Sequence, residues 1–149
     1  QFGNGNESTA VVSGRDPDAD VALLSCIGVT GATSIKRGDS STLNRGDLIA
    51  AFGYPADKDD RGAPVVDMGV VTKFFSENER THIQSSVAVS PGCSGGPLVT
   101  LDGRFVGLIT STHTDPEANV ERTLALSSND VFNTISNFSP VETLANAAD

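Results

Sequence analysis

Apolar residues along the chain fall into short runs separated by glycine, proline and charged clusters. Val21 to Val29 (VALLSCIGV) is nearly continuous and reads as a strand buried on both faces. Leu48 to Gly53 (LIAAFG) reads as a second apolar strand, ended by Tyr54-Pro55 because the residue before a proline is restricted. Val65 to Phe75 (VVDMGVVTKFF) suggests another, with Gly69 as a candidate bulge. Thr81 to Val89 (THIQSSVAV) partly alternates and predicts one more. Leu98 to Leu101 and Phe105 to Thr110 flank Asp102-Gly103, a strong hairpin signal, and Arg122 to Leu126 forms a short strand. Ser128 to Ile135 predicts a helix, capped by Ser127 or Ser128, with Asp130 in its first turn facing the positive end of the dipole. The segments between are turn-rich: Gly31 to Gly46 a looping connection, Pro55 to Pro64 a charged exposed loop, and the stretch from Ser139 a loosely held tail. The Gly/Asn-rich start, through about residue 10, reads as a flexible lead-in. About seven short strands and one helix predict a small β-barrel or β-sandwich, and the pattern leaves both open.

Composition narrows the class. With 149 residues the chain makes one domain, and 38% apolar with 19% charged residues suits a soluble globular protein. The 15 glycines and 7 prolines, with Val, Ile and Thr in the runs, favour an all-β fold with many turns. A formal charge of −9 argues against a nucleic-acid binder, whose phosphate contacts need clustered Lys and Arg, and disfavours an anionic membrane; its plain consequence is solubility. No run is long and apolar enough to span a membrane. Two cysteines, Cys26 and Cys93, exclude a disulfide-dense scaffold. One bridge between them is conceivable, but two free thiols in a reducing intracellular compartment are the favoured reading, with Cys26 as a core residue. The first residues lack the basic start and apolar stretch of a signal peptide, and no Met opens the chain, which reads as a processed product or an excised segment.

One segment carries chemistry. In Pro91-Gly92-Cys93-Ser94-Gly95-Gly96-Pro97 a serine sits among glycines. Acyl transfer needs an open hydroxyl and backbone N–H groups aimed at the developing oxyanion. Gly92 can take backbone angles that bring its N–H to the same point as that of Ser94, while Gly95 and Gly96 keep bulk away. Alone, the run is equally a glycine-rich turn with an idle serine. The apolar strand that follows at once, with its hairpin, favours the catalytic reading.

The stretch Ile83 to Val99 (IQSSVAVSPGCSGGPLV), continuing through Leu101-Asp102-Gly103-Arg104-Phe105-Val106-Gly107-Leu108-Ile109-Thr110, closely resembles the HtrA/Deg serine proteases. Lys36 to Ser41 and Leu43 to Asp47 resemble that family's two Gly-Asp turns, Phe52 to Pro55 its Gly-x-Pro strand end, and Gly69 to Thr72 its Gly-Ile-Val segment. Asp16 to Leu24 (DPDADVALL) resembles the segment with the catalytic aspartate. The resemblance implies a trypsin-like fold of two six-stranded β-barrels. Residues 16–30 would be the aspartate loop and last strand of the first barrel. Residues 31–138 would be the second barrel with the nucleophile loop and helix, between a flexible lead-in (1–15) and a tail (139–149). It implies Ser94 as nucleophile, Asp20 as the acid that orients the histidine, and the N–H groups of Gly92 and Ser94 as the oxyanion hole. It further implies Thr110, Ser111 and Thr112 as the strand that pairs with a polypeptide substrate. Ala88 would be the floor of the specificity pocket, favouring uncharged side chains. No cofactor or metal is implied; an EF-hand reading of Asp16, Asp18 and Asp20 lacks the required Gly and closing Glu, and a solvated acidic loop is the plain alternative. Cys93 departs from the Asn or Asp usual there. It reads as a small residue filling the loop rather than a nucleophile, which would have to stand at Ser94.

A serine needs a general base. The family's histidine lies upstream of the aspartate, and no His precedes Asp20. His82 and His113 match no catalytic position and read as surface or structural residues. The expectation is therefore a serine endopeptidase whose base comes from an upstream first-barrel segment, read as a separate chain left after cleavage in the Gly/Asn-rich loop near Gln1. Such processing would suit a regulatory protease. The alternative is a non-catalytic binding or scaffolding module of the same fold.

Overall fold

The computed structural model describes residues 7–55, 64–115 and 120–138. The described elements are β1 (Ala10–Asp16), β2 (Val21–Cys26), β3 (Lys36–Arg37), a 3-10 turn (Ser40–Thr42), β4 (Leu48–Gly53), β5 (Val65–Glu77), β6 (Arg80–Ser85), β7 (Pro97–Thr100), β8 (Arg104–Asp115), β9 (Val120–Ser127) and helix α1 (Ser128–Ser136). β1 and β2 form a two-stranded antiparallel sheet. The others run β3-β8-β7-β4-β5-β6-β9, and β8 also pairs with β9. That last pairing closes the six strands β8, β7, β4, β5, β6 and β9 into a barrel, with β3 appended in parallel to the start of β8. The fold is thus an all-β barrel followed by a short C-terminal helix.

Alternation along the strands fills the barrel. Ile49 and Ala51 of β4 meet Val71, Ile83, Leu98, Val106, Ile109 and Ala125 from the other five strands, with Val87, Val89 and Cys93 from the segment before β7. Each fully buried Ile or Leu here stabilises the fold by roughly 1.5–3 kcal/mol. The other face of β8–β9 carries a second cluster, in which Phe105 and Leu126 pack against Ala19, Val21 and Val131, with Leu108, Phe132 and Ile135 at its edge. Helix α1 seals this cluster. Ser127 is its N-cap, accepting from the Asp130 N–H and donating its hydroxyl to the Asp130 carboxylate at 2.7 Å. Phe132 meets Phe105 edge-on at 5.9 Å and carries the Arg37 guanidinium 4.1 Å above its ring. Asp39 ties the 3-10 turn to the helix, accepting from the Ser41 hydroxyl at 2.6 Å, the Asn129 amide at 2.8 Å and the Ser41 N–H at 3.0 Å. These donors, led by the Ser41 hydroxyl, hold its carboxyl below the ordinary carboxylate range.

Several expectations need correction. The lead-in drawn through residue 15 carries β1 from Ala10, because Val11 and Val12 supply strand propensity and β2 supplies a pairing edge. β2 ends at Cys26, not Val29, and only Val21 is buried; Ala22 to Cys26 are exposed, since β1 is the one described strand that pairs with it. Cys26 is accordingly an exposed free thiol rather than a core residue. β6 stops at Ser85, and Ser86 to Ser90 run on without regular pairing. Gly69 is no bulge: it pairs regularly with Ile49 and lies so close to the next segment that a Cβ would sit 2.6 Å from the Val87 nitrogen. The irregularity in β5 falls instead between Val71 and Lys73. The Asp102-Gly103 hairpin forms where expected, closed by Gly103 N–H to the Thr100 carbonyl at 2.9 Å. Most of the charged loop after Pro55, residues 56–63, and the tail 139–149 lie outside the described residues, as does the start of the lead-in, 1–6.

Candidate active site

The Ser94 loop is held by β8. The Gly95 N–H donates to the Ile109 carbonyl at 2.7 Å, and the Ile109 N–H donates to the Gly96 carbonyl at 2.9 Å. Two further bonds fold the loop on itself: Cys93 N–H to the Ser90 carbonyl at 3.1 Å and Gly96 N–H to the Cys93 carbonyl at 2.9 Å. Gly92 and Gly95 take φ of +99° and +84°, angles that a side chain would strain. Ser94 and Gly92 are exposed, and among the described residues neither N–H has a hydrogen-bond acceptor. A buried loop would leave such donors unsatisfied at a cost; here both residues are exposed.

Cys93 faces the other way. It is 3% exposed and belongs to the barrel core. Its Sγ occupies the space a side chain on Gly53 would need, 2.6 Å from where that Cβ would lie. The thiol therefore packs the underside of the loop and is unavailable for attack, in keeping with the filling role expected of it.

Asp20 sits in the β1–β2 turn, exposed and in the left-handed region at φ +55°. Its neighbours Ala19 and Val21 are buried on the outer face of β8–β9, so the strand pair that secures the Ser94 loop also anchors the Asp20 turn. Among the described residues neither the Asp20 carboxylate nor the Ser94 hydroxyl has a hydrogen-bond partner, so the two are not linked through any side chain in this structure. His82 is stacked on Phe75 at 5.2 Å within β5–β6, and His113 is exposed on β8 opposite Arg122.

β9 lines one edge of β8 from Gly107 to Asp115, whereas β7 covers the other edge only through Leu108. Beyond the Ser94 loop's bonds to Ile109, the β8 edge at Thr110, Ser111 and Thr112 is open among the described residues. Ala88 is exposed on the irregular stretch after β6. A cleft of about 750 Å³ beside Ser94 is lined by Ile35, Phe52, Tyr54, Gly92, Cys93 and Pro97 among others, and Ala88 does not border it. Sequence reading placed Phe52 to Pro55 as a strand end and did not anticipate this cleft. Only the aromatic pair flanking Gly53 signals it.

Comparison with known proteins fixes the family. The profile described as "Trypsin-like peptidase domain" matches residues 1–108. The chain belongs to the trypsin-like peptidases. Within them it is HtrA/Deg-like. It is 32% identical over 138 residues to the periplasmic serine endoprotease DegP of Escherichia coli (strain K12), a match covering 89% of this chain and 28% of DegP. It is 33% identical over 118 residues to the serine protease PepD of Mycobacterium tuberculosis, covering 72% of this chain and 25% of PepD. The solved structure of the HtrA-type protease AlgW with a decapeptide superposes with a TM-score of 0.77 at 23% identity, over 91% of this chain and 42% of that one. This trypsin-like chain thus spans less than a third of the length of those two curated relatives. The relatives also overturn the reducing intracellular compartment read from the two thiols, because the DegP proteins it matches are periplasmic. The two thiols of this protease domain are unpaired because one is exposed in the β1–β2 sheet and the other is buried in the barrel, which says nothing of redox environment.

Proposed function

We propose that this chain supplies the nucleophile, oxyanion hole and orienting acid of an HtrA-type serine endopeptidase, and that the general-base histidine comes from polypeptide outside these 149 residues. The observation that carries the proposal is the Ser94 loop: an exposed Ser94 in which the N–H groups of Gly92 and Ser94 have no acceptor among the described residues. A substrate strand adding to the open β8 edge at Thr110 to Thr112 would gain main-chain hydrogen bonds there. Its scissile carbonyl oxygen would then point at Gly92 and Ser94. Ser94 Oγ attacks the carbonyl carbon while the histidine takes its proton. The tetrahedral oxyanion is held by the two N–H groups. The histidine returns the proton to the leaving amine, and water resolves the acyl-enzyme by the same steps in reverse order. Asp20 holds the histidine in the required tautomer. In this reading Ala88 contacts the side chain on the acyl side of the cut.

With neither of its own histidines bonded to Ser94 or Asp20, the isolated chain is expected to be inactive. The test is casein or peptide hydrolysis by the full-length protein that contains this chain. Ser94→Ala should reduce the rate by roughly 10⁴-fold or more with unchanged substrate binding. Hydrolysis retained in that variant would place the nucleophile elsewhere.

A further inference from the structure

Among the described residues, the Asp20 turn has one long-range polar tether. Asp16 closes β1, and its Oδ1 accepts from the N–H groups of Asp18 at 2.9 Å and Ala19 at 3.0 Å, shaping the turn that ends in Asp20. Its Oδ2 accepts from Arg80 Nη2 at 2.9 Å, across 64 positions of sequence. Both side chains are about three-quarters covered, at 25% and 23% exposure. Arg80 opens β6, directly after a two-residue turn in which Asn78 and Glu79 both take positive φ, +49° and +63°. Glutamate has no affinity for that region, so the hairpin keeps a costly turn at the point that delivers the guanidinium. The next residue, Thr81, donates its N–H to Asp130 at 2.9 Å, which locks the hairpin end to the cap of α1. The tether therefore runs from a rigid corner of the barrel to the base of the Asp20 turn.

We propose that Arg80 is a positioning residue for Asp20: paired with Asp16, it fixes the Asp20 turn, which lies on the two-stranded β1–β2 sheet, to the barrel that carries Ser94. This rests on the reading of Asp20 as the orienting acid. Among the described residues the Asp20 carboxylate, at left-handed φ on an exposed turn, has no hydrogen bond to hold it, and errors of about 1 Å in such a group cost up to about a hundredfold in rate.

The experiment combines amide hydrogen exchange with steady-state kinetics on the full-length protein. Arg80→Gln and Asp16→Asn should each speed exchange at Asp18 and Ala19 by about two- to fivefold. Each should lower kcat about tenfold at unchanged KM. The double variant should be no worse than either single one, and Arg80→Lys should recover most of the rate. Asp20→Asn is run beside them. If it lowers kcat strongly while Arg80→Gln leaves both kcat and exchange unchanged, the tether is overturned and Asp20 keeps its role. If Asp20→Asn has no effect, the reading of Asp20 fails, and a change confined to exchange in Arg80→Gln then shows a merely structural pair.

Discussion

At the scale of single residues, the site depends on what fills the space under the Ser94 loop. Cys93 and Gly53 share one volume: the thiol takes the room that any other residue at position 53 would need. Gly53→Ala should therefore destabilise the domain by about 1–3 kcal/mol, measured by denaturant unfolding, because overpacking forces the loop outward. Cys93→Ala alone should cost about 1–2 kcal/mol for the lost packing. In combination the two should cost less than their sum, since the smaller side chain makes room for the new methyl. The loop itself was legible in the sequence because all its parts lie within seven consecutive residues whose glycines have specific backbone roles. The Asp16–Arg80 pair was not, because nothing local in either residue announces a partner 64 positions away.

At the scale of elements, helix α1 and the 3-10 turn lean on each other through Asp39 and Asn129. The Asp39 carboxyl is held below its ordinary range by the Ser41 hydroxyl, the Asn129 amide and the Ser41 N–H. A carboxyl depressed in the folded state contributes stability above its unfolded pKa and loses that contribution as pH falls through the folded pKa. Asp39→Asn should thus be less stable than the parent at neutral pH, and the two should converge in acid. Unfolding measured against pH checks this; a gap that persists in acid would assign the loss to packing. Asp130 serves two elements, accepting from the hydroxyl of the α1 cap Ser127 and from the Thr81 N–H. Asp130→Ala should lower stability by about 1–2 kcal/mol in thermal unfolding. The strands of the barrel were legible because alternation and turn residues agree along them. β1 was missed because Ala10–Asp16 has only Val11 and Val12 as a strand signal and owes its form to pairing with β2. Barrel closure was also beyond reach, since the β8–β9 contact that decides barrel against sandwich is a tertiary fact.

At the scale of the whole molecule, the β1–β2 sheet pairs with no described strand of the closed barrel and packs on it through Ala19 and Val21. Val12 and Leu24 face each other across the sheet at 57% and 54% exposure, with Val11, Leu23 and Ile27 also bare. A run as apolar as β2 reads as buried on both faces, and that expectation failed because these described residues hold no strand to cover it. The chain covers only 28% of DegP, and in the proposed reading the polypeptide that carries the histidine also covers this face. Produced alone, the chain should self-associate in light scattering, and Val12→Lys with Leu24→Lys should reduce this.

The central claim is that Ser94 becomes a nucleophile when that polypeptide is present. A serine-reactive fluorophosphonate, followed by peptide mapping, tests it directly. The account predicts modification at Ser94 in the full-length protein, much slower labelling in the Asp20→Asn variant, and none in the isolated chain. An unmodified Ser94 in the full-length protein, or modification elsewhere, would contradict it.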